Sequence, residues 1–128
     1  MQRLQNRCAR AVSGIFDFSA SVMLIIKRLG WMNISERFKY FTSCLMFKCL
    51  NEQAPFSLCE KFTYLSDSQS YSTRSARSGL LKIPRFHVSA YKKSFAYNGA
   101  TTWNNLPANL RSCSSLIAFK NVYKTADV

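Results

Sequence analysis

Asn33-Ile34-Ser35-Glu36, followed by Arg37-Phe38-Lys39-Tyr40-Phe41-Thr42-Ser43-Cys44-Leu45-Met46-Phe47-Lys48-Cys49-Leu50, is the stretch whose reading decides the fold class. A capping side chain with Glu three residues on is a capping-box variant, and the run predicts a helix over about 34–50. Within it Ile34, Phe38, Phe41, Leu45 and Cys49 recur at helical spacing as one apolar stripe, which Tyr40, Cys44 and Phe47 widen. A helix this apolar belongs at the centre of a core. Asn51 and Pro55 stop it.

Outward from that helix, the same periodicity predicts more helices. Residues 2–13 carry Leu4, Cys8, Ala11, Val12 and Ile15 as a narrow apolar stripe, with Gly14 as the C-terminal cap. Arg3, Arg7 and Arg10 repeat one position earlier and line one edge of it. Residues 20–29 form a shorter helix with Ser19 as N-cap and Gly30 at its end, burying Val22, Ile25, Ile26 and Leu29. Lys27 and Arg28 suit its last turn.

On the C-terminal side, Phe56 to Tyr64 hold one short helical turn or two. Residues 66–79 contain six serines and no aliphatic residue larger than alanine, the composition of a loop. Leu80 to Pro84 read as a short strand limited by Pro84. The pattern over 89–98 leaves the type of structure open: alternation favours extended structure, and Asn98-Gly99 favours a turn. A helical turn is expected around Trp103 and a short helix after Pro107. A final helix, capped by Ser114 or Ser115, runs to about Ala126 on a stripe of Leu116, Phe119, Tyr123 and Ala126. The expected fold is mainly α: a single small domain over 1–128 with two packed helical lobes, 1–65 and 80–128, joined by the Ser/Arg-rich loop 66–79. A short strand or hairpin is allowed. Trp31, Phe38, Phe41, Leu45, Trp103, Leu106 and Phe119 are expected to share a core.

Eighteen Lys and Arg stand against six Asp and Glu in 128 residues, a net charge of +12. That surplus favours a polyanionic partner, nucleic acid before an anionic membrane surface. The candidate phosphate-contacting residues are Arg3, Arg7 and Arg10 on the first helix, Arg74 and Arg77 in the serine-rich loop, and Lys92 and Lys93 among the aromatics Tyr91 and Phe95. Exposed, aromatics interleaved with cations stack bases while binding phosphates; buried, they are core, the reading favoured for Phe95 and Trp103. The longest uninterrupted apolar run, Val22 to Ile26, is far too short to span a membrane.

The acids Asp17, Glu36, Glu52, Glu60, Asp67 and Asp127 are scattered with no pair at helical spacing, whereas two-metal phosphoryl transfer needs carboxylates that share ions. Phosphate-binding glycine loops, His-Glu-x-x-His and Gly-x-Ser-x-Gly are absent. A zinc site would need Cys44, Cys49, Cys59 and His87 to converge, and their gaps match no usual finger spacing. No metal, cofactor or small-molecule substrate is expected. Five cysteines without a Cys-x-x-Cys suggest reduced thiols and an intracellular location, nuclear or cytoplasmic. The Arg-rich, acid-poor start also mimics a mitochondrial transit peptide.

Five segments resemble, in order, the region downstream of the polymerase domain in LINE-type (non-LTR) retrotransposon reverse transcriptases. They are Leu4-Gln5-Asn6-Arg7-Cys8-Ala9-Arg10-Ala11; Leu29-Gly30-Trp31 with Glu36-Arg37 and Lys39-Tyr40; Phe47-Lys48-Cys49-Leu50-Asn51 with Ala54-Pro55; Tyr71-Ser72-Thr73-Arg74-Ser75; and Lys93-Ser94-Phe95 through Gly99-Ala100 to Trp103-Asn104-Asn105-Leu106-Pro107, with Leu116 and Phe119-Lys120 after it. The Trp-Asn-x-Leu-Pro element is the most distinctive. The resemblance implies a basic, helical accessory region that helps hold RNA or target DNA beside an upstream polymerase domain. The parent family is an RNA-directed DNA polymerase with an endonuclease; this chain, as a fragment of such a polyprotein, is expected to be no enzyme, and no catalytic residue carries over. The alternatives are a helical protein-interaction or structural module and a non-functional transposon relic.

Overall fold

The computed structural model describes residues 1–68, 78–85 and 87–126. It is mainly helical. The helices are α1 (Gln2–Ser13), α2 (Val22–Arg28), α3 (Ile34–Leu50), α4 (Phe56–Cys59), α5 (Leu65–Ser68), a 3-10 turn (Ser89–Lys93), α6 (Phe95–Asn104), α7 (Ala108–Arg111) and α8 (Leu116–Thr125). Among the described residues the extended pairing is a single antiparallel bridge between Tyr64 and Leu81. The chain divides into two compact units, Met1–Tyr40 and Phe41–Val128, the division falling within α3.

The first unit is closed by its glycines. Gly14 and Gly30 adopt left-handed φ of 64° and 67°, a conformation that costs an L side chain energy but not glycine. Each gives its helix the same ending: Gly14 N–H bonds Ala11 O and Ile15 N–H bonds Arg10 O, while Gly30 N–H bonds Lys27 O and Trp31 N–H bonds Ile26 O. This is the Schellman pattern, which satisfies carbonyls left open at a helix end. Ala9, Ile25 and Ile26 form the buried core, with Ile15, Ala20, Val22 and Leu29 packed against it. The α2 face is thus the one expected.

The α1 face is not. Leu4 and Val12 are 62% and 65% exposed, and Cys8 and Ala11 lie outside with them. The inward face is polar: Gln2 Oε1 accepts the Ile34 N–H at 3.0 Å, and Gln5 Nε2 donates to Met32 O at 2.7 Å. Gln2 also donates to Gln5 and Asn6, both at 2.9 Å. These amides supply a donor and an acceptor to backbone around the start of α3, where the first turn has N–H groups with no partner in the helix. The capping box completes that start as expected: Asn33 Oδ1 accepts Glu36 N–H at 2.9 Å, and Glu36 Oε2 accepts Asn33 N–H at 3.1 Å.

In the second unit α3 buries Thr42, Ser43, Cys44, Met46, Phe47 and Cys49. Phe41 is 55% exposed and Leu45 half-buried; in the first unit Phe38 is 67% and Trp31 38% exposed. The expected core therefore loses these four residues. The helix is apolar on most of its circumference, so several stripes score alike, and the face chosen carries the small Thr42 and Ser43. Trp103, Leu106 and Phe119 are buried as expected. Phe119 lies at their centre, 5.0 Å from Phe47, 6.0 Å from Tyr123 and 6.3 Å from Trp103 between ring centroids, the last pair stacked at 12°.

Residues 89–93 form the 3-10 turn and 95–98 the start of α6, with Ser94 alone extended between them. Ser94 opens α6 by accepting the Tyr97 N–H at 3.4 Å, and Phe95 sits edge-on to Phe62 at 5.5 Å. Asn98-Gly99 makes no turn. Gly99 is buried in α6, and a Cβ there would lie 2.5 Å from Met46 Sδ, so the glycine permits close helix approach. Ser115 caps α8 through the Ala118 N–H at 3.2 Å.

The Trp103–Pro107 element has a structural account for nearly every position. The Trp103 indole N–H donates to Gly79 O at 3.2 Å. Asn104 pairs with Leu81 twice, accepting its N–H at 2.8 Å and donating to its carbonyl at 2.9 Å. Leu106 is buried and Pro107 precedes α7 as its N-cap. With Leu65 N–H on Leu80 O and Lys82 N–H on Thr63 O, these bonds join the chain on either side of the serine-rich stretch, whose residues 69–77 lie outside the described ones.

Candidate nucleic-acid interface

Of the sixteen described Lys and Arg residues, thirteen are exposed; Arg10, Lys48 and Arg111 are half-buried. Arg3 and Arg7 project from the exposed side of α1, beside the row of Leu4, Cys8 and Ala11. Arg10 differs from them. Its guanidinium donates to Asp17 O and, at 3.0 Å, to Ala20 O, and it lies 5.4 Å from the Phe18 ring centroid. It ties α1 to the segment before α2, so its charge is bound into the first unit's structure. Arg74 and Arg77 lie outside the described residues. Lys92 and Lys93 are exposed at the end of the 3-10 turn.

Close to that turn the second unit has a groove of about 420 Å³, lined by Leu58, Lys61, Pro84, Tyr91, Ser94 and Phe95 among others. Among the described residues its lining has a cation and no carboxylate. A second cavity in the same unit, about 550 Å³, is lined by Cys49, Glu52, Cys59, Glu60 and Tyr64 among others. Its two carboxylates have the wrong sign for a phosphate. There burial, with the adjacent Cys59 thiol second, holds the Cys49 thiol above the usual thiol range. Burial, with Asp67 second, likewise raises the Tyr64 phenol.

All five cysteines are free thiols, and Cys44 and Cys49 are buried like small hydrophobes. Among the described residues, no group of three or more His, Cys, Asp or Glu is placed to hold a metal ion. No described helix is long and apolar enough to cross a membrane.

Reasoning from sequence reached Tyr91, Lys92 and Lys93 through their alternation of rings and cations. It missed Lys61, which follows α4 and shares no local pattern with Tyr91; only the tertiary fold joins them. Comparison with protein-family models, with curated proteins and with solved structures finds no match to this chain.

Proposed function

We propose that this chain is a non-catalytic nucleic-acid-binding region, holding RNA or DNA through phosphate contacts with little regard to sequence. The carrying observation is the charge. With eighteen cations and six carboxylates, a net charge of +12 stays uncompensated however the chain folds. Such a surplus is self-repulsive in a compact domain and is relieved by a polyanion. Phosphate contacts release counterions and carry no base identity, so affinity falls with salt and varies little between sequences. The resemblance to the region downstream of the polymerase in LINE-type elements points the same way, toward an accessory that holds nucleic acid for a polymerase and supplies no catalytic group.

Fluorescence anisotropy of the full chain with several unrelated labelled oligonucleotides of equal length tests this. Similar affinities at low salt, all lost together as salt rises, are expected. Absence of binding at low salt overturns the reading.

A second reading, a helical protein-interaction module, is favoured by the exposed row of Leu4, Cys8 and Val12 on α1. It predicts salt-tolerant association with a protein partner and no affinity for oligonucleotides.

A further inference from the structure

We infer that the groove between α4, the 3-10 turn and the start of α6 is a seat for an unpaired base of single-stranded nucleic acid, with Tyr91 as its stacking surface and Lys61 meeting the adjoining phosphate. This rests on the nucleic-acid reading and narrows it to a strand type and a place. The sequence alone marks the rings and cations of Tyr91-Lys92-Lys93-Ser94-Phe95 but cannot say which are core.

The structure separates them. Phe95 is half-buried and fixed edge-on against Phe62 at 5.5 Å between centroids, so it forms part of the wall and is not offered to solvent as a face. Tyr91 is 39% exposed and borders the groove from a turn fixed at both ends, its N–H bonded to Val88 O at 3.0 Å and its carbonyl accepting Ser94 N–H at 2.9 Å. The backbone that carries the ring is thereby held in place before any base arrives.

Leu58 and Pro84 give the lining apolar surface of the kind a base's flat faces prefer to water. The groove's volume, about 420 Å³, lies within the ~300–1,000 Å³ of small-ligand pockets, ample for one base and its sugar. A base within a duplex is stacked and paired and cannot enter such a recess without being extruded at the cost of its stacking and pairing. For an unpaired strand that cost is least.

Charge argues for a nucleic acid over an apolar peptide or a neutral ligand. Lys61 is exposed and lines the groove, no carboxylate among the described residues does, and the turn that carries Tyr91 ends in Lys92 and Lys93. A ring flanked by cations beside a concave surface is the combination by which proteins hold single strands without reading their sequence: the ring takes any base, the cations take the backbone.

Anisotropy of the full chain with a labelled single strand and a labelled duplex, for wild type, Tyr91→Ala, Tyr91→Phe and Lys61→Gln, tests the assignment. Tyr91→Ala is expected to weaken single-strand binding by about 5- to 150-fold, the range of one base–aromatic stack, and to change duplex binding less than about twofold. Tyr91→Phe keeps the face and is expected to bind like wild type. Lys61→Gln is expected to flatten the single-strand salt slope by about 0.7, one phosphate contact. Because Tyr91 is a rim residue, an unchanged melting curve is expected for its variants. If wild type binds both probes and Tyr91→Ala leaves single-strand affinity unchanged, the groove is not the seat and the general nucleic-acid reading stands. If wild type binds neither probe, both fail.

Discussion

Met1–Tyr40 is held by amides and aliphatic side chains, and Phe41–Val128 by rings. In the first unit, Gln2 and Gln5 reach from α1 to the backbone at Met32 and Ile34, Arg10 clasps two carbonyls, and the buried cluster is Ala9, Ile25 and Ile26. In the second, Phe47, Trp103, Phe119 and Tyr123 pack ring to ring. The difference teaches where stability is concentrated. A buried aromatic contributes several kcal/mol through area and packing, whereas a hydrogen bond returns about 1 kcal/mol after its competition with water. The second unit therefore tolerates loss of any one polar contact, while the first depends on several small ones acting together.

Trp103→Ala strikes the aromatic core and is expected to cost about 3–5 kcal/mol, a large part of a small domain's stability. Its indole N–H bond to Gly79 goes with it. Urea denaturation is the measurement, and an unshifted midpoint would contradict a core centred on Phe119.

Gln5→Leu and Leu4→Gln form an inverted pair. On an ordinary amphipathic helix the first would be harmless and the second damaging. Here Gln5→Leu removes the bond to Met32 O and is expected to cost about 1–2 kcal/mol, while Leu4→Gln stays within about 0.5 kcal/mol. The opposite ranking in thermal melts would mean that α1 faces inward along its apolar row.

Ser115→Ala removes the α8 cap and is expected to cost about 1 kcal/mol, because Phe119 in the same helix still holds it to the core. Thermal melting again measures it.

The smallest effect concerns pH. The Asp17 carboxyl is held below the usual aspartate range by the Ser19 hydroxyl first and the Ser19 N–H second, with Arg10 a lesser influence. A carboxyl lowered by folding stabilises the fold above its unfolded pKa, and that contribution is lost as pH falls through the lowered value. A carbon-detected NMR titration should place the Asp17 midpoint below that of a free aspartate, and Ser19→Ala should raise it.

What the sequence disclosed follows from the range of each interaction. Local signals were legible: the reciprocal Asn33–Glu36 box, the Gly14 and Gly30 endings, the Ser115 cap and the α2 face are each decided within a few residues. The buried side of α3 was not, because a helix apolar nearly all round leaves several stripes and the partner decides; Thr42 and Ser43 read as polar but face inward. The α1 face misled for the converse reason. Gln2 and Gln5 read as solvent-facing, yet their use depends on backbone groups at Met32 and Ile34, distant in sequence. Helix α6 was masked by alternating rings whose spacing also fits a helix once Ser94 caps it. As for the proposed interface, the charge and the Tyr91–Lys93 turn were legible, whereas Lys61 and the engagement of Arg10 required the fold.

The two units also divide the exposed cations, Arg3 and Arg7 in one, Lys61 and Lys93 in the other. The slope of log K against log salt for a labelled single strand, measured on wild type, Arg3→Ala/Arg7→Ala and Lys61→Gln/Lys93→Gln, tests nucleic-acid binding most directly. Wild type should show a steep linear fall, and each double variant a slope flatter by about 1.4, two phosphate contacts at about 0.7 each. Absence of binding at low salt, or binding that ignores salt in all three proteins, would contradict it.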